Sequence, residues 1–138
     1  MTAIVKWAGG LSFLGRANTN HWVPMDVAKE VGGTAAASSP MELVLIGLGG
    51  CTAMDIVSIL KKKKVKIEDF WIELDAVKAD DYPKVFTQIK LKYVVVGKDV
   101  PKDAVERAVR LSEGKYCSVG AMLRKTAKIE YETEVRAP

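Results

Sequence analysis

Apolar and polar positions along the chain follow two periods, and the changes between them mark out the elements. Ile72, Leu74 and Ala76 alternate with polar residues, and so do Ile89, Leu91, Tyr93 and Val95. A period of two is the pattern of a strand with one buried face, so residues 70–78 and 85–96 predict two long antiparallel strands joined through Asp80-Asp81-Tyr82-Pro83. Ile129, Tyr131, Thr133 and Val135 repeat the alternation in a last strand. Three short apolar segments open the chain, at 3–7, 11–14 and 21–25, separated by Gly9-Gly10 and by residues 15–20. They predict a small antiparallel meander. Residues 28–38, rich in Gly, Ala, Thr and Ser and without periodicity, predict a loop.

Ser39-Pro40-Met41-Glu42 has the residue types of a capping box: Ser as N-cap, Pro at the first helical position and Glu three residues after the Ser. The helix it starts continues through Cys51 to Ile59-Leu60 and is apolar nearly all round, with Asp55 and Ser58 as the main interruptions. Such a helix is expected to be buried on most sides. Its length is that of a membrane span. Glu42 and Asp55 within the run, three glycines and the lack of a second span argue against a membrane. Gly47, Gly49 and Gly50 instead predict close approach of other protein elements, a second subunit among them. Further on, Asp99 is placed to cap a helix over residues 100–112, with Val105, Ala108 and Val109 on its buried face, Glu106 and Arg110 as a charge pair, and Gly114 at its end. Cys117 and Ser118 open a short helix over 119–125. Strands, long helix, strands, two helices and a strand give an α+β class rather than alternating βαβ units.

A length of 138 residues, 49% of them hydrophobic, fits one domain with a substantial core. The first residues lack the features of a secretory signal, which predicts a cytoplasmic setting. In that compartment the two cysteines are free thiols or a transient redox pair rather than a structural staple. The net charge of +4 and the run Lys61-Lys62-Lys63-Lys64 raise nucleic acid as a partner. A basic cluster at a helix C-terminus is more simply a solvated cap, so no nucleic acid is expected. His21 is the sole histidine and the cysteines lack CxxC spacing, which leaves a metal site without ligands, and no nucleotide-binding glycine motif is present. Thiol chemistry remains. Taken singly, a free cysteine is most often core filler, but Cys51 follows a Gly-Gly pair and Cys117 opens a helix. Cys51 lies mid-helix, so an activating charge must come from elsewhere, whereas free amides at a helix start favour a Cys117 thiolate.

With Ser39-Pro40-Met41-Glu42-Leu43 leading to Gly49-Gly50-Cys51-Thr52-Ala53-Met54-Asp55, and Lys115-Tyr116-Cys117-Ser118-Val119 downstream, the chain resembles the OsmC/Ohr family of osmotically inducible and organic-hydroperoxide-resistance proteins, and within it the YhfA-like branch. The resemblance covers essentially the whole chain. It implies a single OsmC-like domain over residues 1–138, with antiparallel sheets wrapped around a long buried central helix in an intertwined homodimer. It also implies thiol-dependent reduction of organic hydroperoxides without metal or cofactor. Cys51 would attack the peroxide and become a sulfenic acid, Cys117 would resolve it to a disulfide, and a lipoyl-type dithiol would restore both. The family's activating arginine falls in the N-terminal strand region, which makes Arg16 the candidate. Its glutamate directly follows the helix-start proline, where this chain has Met41 and carries Glu42 one place later, a turn of about 100° on a helix. Glu42 is therefore a candidate for catalysis and for the cap alike. The alternative function is a non-catalytic, redox-responsive or small apolar ligand-binding dimer of the same fold.

Overall fold

A computed structural model describes residues 1–138. They form two compact units, Met1–Ile46 and Gly47–Pro138. In the first, β1 (Ile4–Trp7), β2 (Phe13–Arg16) and β3 (Val23–Met25) make an antiparallel sheet in that order, with Lys6 opposite Leu14 and Leu14 opposite Pro24. Pro24 is tolerated because β3 is an edge strand and its missing N–H is not needed by a further neighbour. Gly9 and Gly10 take positive φ (+96° and +54°) in the β1–β2 turn, where the Trp7 indole N–H donates to the Gly10 carbonyl at 2.8 Å.

The segment after β3 is tied down by a buried carboxylate. Asp26, 2% exposed, accepts from the Ser12 hydroxyl (2.7 Å), its neighbour's amide at Val27 (2.7 Å) and the Thr34 hydroxyl (2.6 Å). These hydrogen bonds, that from Thr34 first, hold its carboxyl well below the usual carboxylate range.

The capping box forms as its residue types require. The Glu42 amide donates to Ser39 Oγ (3.2 Å) and the Ser39 amide to Glu42 Oε1 (2.9 Å), opening α1 (Pro40–Lys62). At its far end the Val65 amide reaches back to the Leu60 carbonyl, with Lys64 at φ +58° in the left-handed position that usually holds glycine.

In the second unit, β4 (Asp69–Lys78), β5 (Phe86–Val96) and β6 (Lys128–Arg136) form one sheet in that order. Ile72 pairs with Tyr93 and Leu74 with Leu91 across the antiparallel β4–β5 ladder. β6 joins β5 in parallel, Leu91 opposite Tyr131, so this sheet is mixed rather than wholly antiparallel. The cause is the connection: α2 (Lys102–Leu111), a π-helical turn (Ser112–Tyr116) and α3 (Ser118–Leu123) fill the crossover that parallel pairing needs. Ile89, Leu91, Tyr93 and Val95 of β5 are buried, as are Val105, Ala108 and Val109 of α2. The opposite face of the sheet sets Glu73 against Lys92 and Asp75 against Lys90, opposite charges directly across the ladder.

Several local expectations change. Asp99 does not cap α2: it sits at φ +55°, and Pro101 occupies the N-cap without a side-chain bond. The extended backbone there suits a proline and places Asp99 too early to reach the first amides. Lys102, not Arg110, lies near Glu106, at 3.9 Å. Gly114 does not end the helix, because the chain continues through the π-helical turn, closed by the Cys117 amide on the Ser112 carbonyl at 2.8 Å. α1 is buried along one stripe only, Leu48, Thr52, Ile56 and Leu60 with Gly49. Ile46 (58% exposed) and Met54 (75%) remain uncovered in a single chain, since one sheet can cover only one side of a helix. Of the three glycines, Gly49 alone is close-packed: a Cβ there would lie 3.0 Å from Leu74 Cδ1, while Gly47 and Gly50 face open space.

Candidate thiol site

The site grows from the polar residues that break two apolar stripes. On α1 the stripe of every fourth residue from Leu48 to Leu60 is interrupted by Thr52, next to Cys51. On α2 the stripe Val105, Ala108, Val109 is continued by Ser112 and Glu113, both buried. An uncompensated buried hydroxyl or carboxylate is costly, so each must find a partner. They find one another. Thr52 Oγ1 lies 3.0 Å from the Tyr93 hydroxyl and 2.8 Å from Ser112 Oγ. Ser112 Oγ donates to Asp55 Oδ2 (2.8 Å), and the Tyr93 hydroxyl donates to Glu113 Oε1 (2.5 Å). Glu113 Oε2 in turn accepts from Arg124 Nη2 at 2.5 Å. A continuous polar chain thus runs from Asp55 through Ser112, Thr52, Tyr93 and Glu113 to Arg124. Three hydroxyl protons serve its four contacts between Asp55 and Glu113. Burial, reinforced by the Glu113 carboxylate, pushes the Tyr93 phenol far above its ordinary range, which keeps it a neutral donor.

Cys51 and Cys117 meet beside this chain. Both are free thiols, Cys51 half-buried and Cys117 buried, and Cys51 lies near enough to Cys117 to raise its pKa. Holding the Ser112 and Glu113 side chains inside widens the turn that follows α2, and that turn delivers Cys117 at the N-cap of α3. There the sulfur accepts the Gly120 amide at 3.3 Å. The amide lowers the thiol pKa as a helix start should, but burial outweighs it, and Cys51 and Glu113 add to the rise, so Cys117 is pushed up from 9.0 to about 11. The expected Cys117 thiolate is therefore replaced by a protonated thiol at neutral pH.

Arg16 and Glu42 belong to the N-terminal unit. The Arg16 guanidinium stacks on Trp22, 5.1 Å from the ring centre, with its Nε buried and without a hydrogen-bond partner. Glu42 is engaged in the capping box. The structure brings the two thiols together within the second unit.

The family profile described as OsmC-like protein matches residues 33–132. The chain belongs to the OsmC-like family. It is 44% identical to "Protein YhfA" of Escherichia coli (strain K12) over 139 residues, covering 99% of each chain. Among solved structures it is similar to a hypothetical protein from Aquifex aeolicus VF5, with 32% identity, TM-score 0.87 and coverage of 99% of this chain and 96% of that one. It also shares its fold with an organic hydroperoxide resistance protein OsmC from Legionella pneumophila, at 19% identity, TM-score 0.73 and 98% coverage of both chains.

Within this OsmC-like chain, Thr52, Tyr93, Ser112, Glu113 and Arg124 are the site residues that sequence reading passed over. A signal was present for three of them. Thr52, Ser112 and Glu113 are polar residues at positions where the helical stripe calls for apolar ones. Tyr93 is indistinguishable from its alternating apolar neighbours, and Arg124 from a surface charge.

Proposed function

We propose that this protein is a cysteine-based thiol peroxidase that reduces organic hydroperoxides. The observation that carries the reading is the pairing of Cys51 with Cys117, one half-buried and the other held protonated beside it. Cys51 sulfur attacks a peroxide oxygen, the O–O bond breaks, and the thiol proton leaves with the alcohol, giving a Cys51 sulfenic acid. The Cys117 thiol then attacks that sulfur, the S–O bond breaks, and water departs as the disulfide forms. A dithiol, oxidised to its own disulfide, returns both cysteines to thiols. A protonated Cys117 suits the second role, since at pH 7 about one part in ten thousand of a thiol of that acidity is thiolate.

The likeness to organic hydroperoxide resistance proteins supports the substrate class, and the uncovered apolar face of α1, with Ile46 and Met54, supports a homodimer; the cytoplasm is the compartment proposed for it. Arg16 and Glu42 enter the proposal as the activating residues that family likeness implies. Mass spectrometry of protein titrated with cumene hydroperoxide or hydrogen peroxide, with turnover followed in dihydrolipoamide, is the test. Rapid Cys51–Cys117 disulfide formation that favours the organic peroxide is expected, and Cys51→Ser abolishes consumption. Unreactive thiols, or one slow oxidation without turnover, would leave the redox-responsive or ligand-binding reading in its place.

A further inference from the structure

We propose that Arg124 is the cation of the thiol centre: pinned by Glu113 and seated with the Cys117 sulfur over Gly120, its guanidinium stabilises the negative charge that Cys117 takes on as it gives up its proton to attack the oxidised Cys51. The geometry is set by a missing side chain. A Cβ at Gly120 would lie 3.2 Å from Cys117 Sγ and 3.6 Å from Arg124 Nη2, so sulfur and guanidinium border the same small space. Cys117, Gly120 and Arg124 follow one another at intervals of three and four residues, which puts them on one side of the α3 segment. Arg124 would otherwise be free to swing into solvent, being about a third exposed. Glu113, 5% exposed, fixes it at 2.5 Å and is itself fixed by the Tyr93 hydroxyl.

The two charges act on the sulfur in opposite senses. Glu113 helps hold Cys117 protonated at rest, while Arg124 favours the anion and limits the cost of forming it inside the protein. In the step served, the Cys117 S–H proton and the hydroxyl of the Cys51 sulfenic acid leave together as water. Cys117 sulfur is oxidised by as much as Cys51 sulfur is reduced, and the S–S bond replaces the S–O bond. This role rests on the peroxidase reading, but the charge effect itself does not and is measurable without peroxide.

The test follows iodoacetamide alkylation of Cys117 by mass spectrometry from pH 6 to 10 in a Cys51→Ser background. Glu113→Gln, which retains the cation, raises the rate at pH 7.5 roughly two- to threefold, and Glu113→Gln with Arg124→Gln brings it back down by roughly the same factor or more. Arg124→Lys, which keeps the charge, changes the rate by less than that and provides a folded comparison if the glutamine variants prove unstable. Identical pH profiles for Glu113→Gln with and without Arg124→Gln, or for the arginine, lysine and glutamine forms, would overturn the assignment. With Cys51 restored, dimedone trapping shows its sulfenic acid accumulating in Arg124→Gln as disulfide closure slows. If the parent itself forms no sulfenic acid, the peroxidase reading fails and the alkylation series still decides the role of Arg124.

Discussion

Replacing Tyr93 by Phe separates a buried polar chain from ordinary packing, because the ring stays and only the hydroxyl is lost. Tyr93 is completely buried, and its O–H donates at 2.5 Å to the Glu113 carboxylate, which is 5% exposed. A hydrogen bond to a charged, buried acceptor is worth about 1.5–3 kcal/mol. Arg124 still serves the other carboxylate oxygen, so Glu113 is left short of one donor rather than stranded. A loss of about 2–3 kcal/mol follows. Thr52→Val removes the neighbouring hydroxyl, which makes two contacts but has one proton to give while the Ser112 and Tyr93 protons are directed to Asp55 and Glu113. Only one of those contacts is a full hydrogen bond at a time, and the loss is about 1 kcal/mol. Urea unfolding followed by tryptophan fluorescence at fixed protein concentration should show both midpoints falling at constant m. At about 3–4 °C per kcal/mol for a chain of this length, Tm falls by about 8 °C in the first variant and about 3–4 °C in the second. Equal losses in the two variants, or a Tyr93→Phe protein as stable as the parent, would refute the proton count and the direction of the chain.

Lys64→Gly should stabilise the protein by about 0.5–1 kcal/mol, since φ +58° strains any residue with a Cβ; differential scanning calorimetry reads this as a small rise in Tm. The raised Cys117 pKa predicts a pH dependence of definite sign. The folded thiol is harder to ionise than the unfolded one, so its contribution is fully present below about pH 9 and lost as pH rises through about 11, a fall of roughly 2–3 kcal/mol. Urea midpoints from pH 8 to 11.5 should drop more steeply in the parent than in Cys117→Ala, and parallel curves would contradict the shift. Asp26 acts in the opposite direction: with its carboxyl held low, its contribution is intact above about pH 4 and lost as the pH falls, so Asp26→Asn flattens the acid limb of the stability curve. Finally, Met54→Asp, at a site 75% exposed in one chain, should convert a dimer to 15.1 kDa monomers in sedimentation if a second copy covers α1, and an unchanged mass would remove that interface.

The sequence by itself determined the elements and pointed to the two thiols as the candidate chemistry. Period-two alternation located β4, β5 and β6, the Ser39–Glu42 capping box marked the start of α1, and the local contexts of Cys51 and Cys117 singled out the thiols. These features are legible because each depends on residues within a turn or two of one another, where spacing fixes geometry. Tertiary structure decided the rest. The parallel docking of β6 depends on how a crossover packs, and the protonated state of Cys117 depends on burial, which overrode the helix start that sequence alone could see. Asp99 and Gly114 failed as helix signals because a proline and two anchored side chains, Ser112 and Glu113, governed that segment instead. The chain from Asp55 to Arg124 joins residues as far as 60 positions apart. No local pattern announces such a network, because what holds it together is the cost of leaving any one of its buried polar groups without a partner.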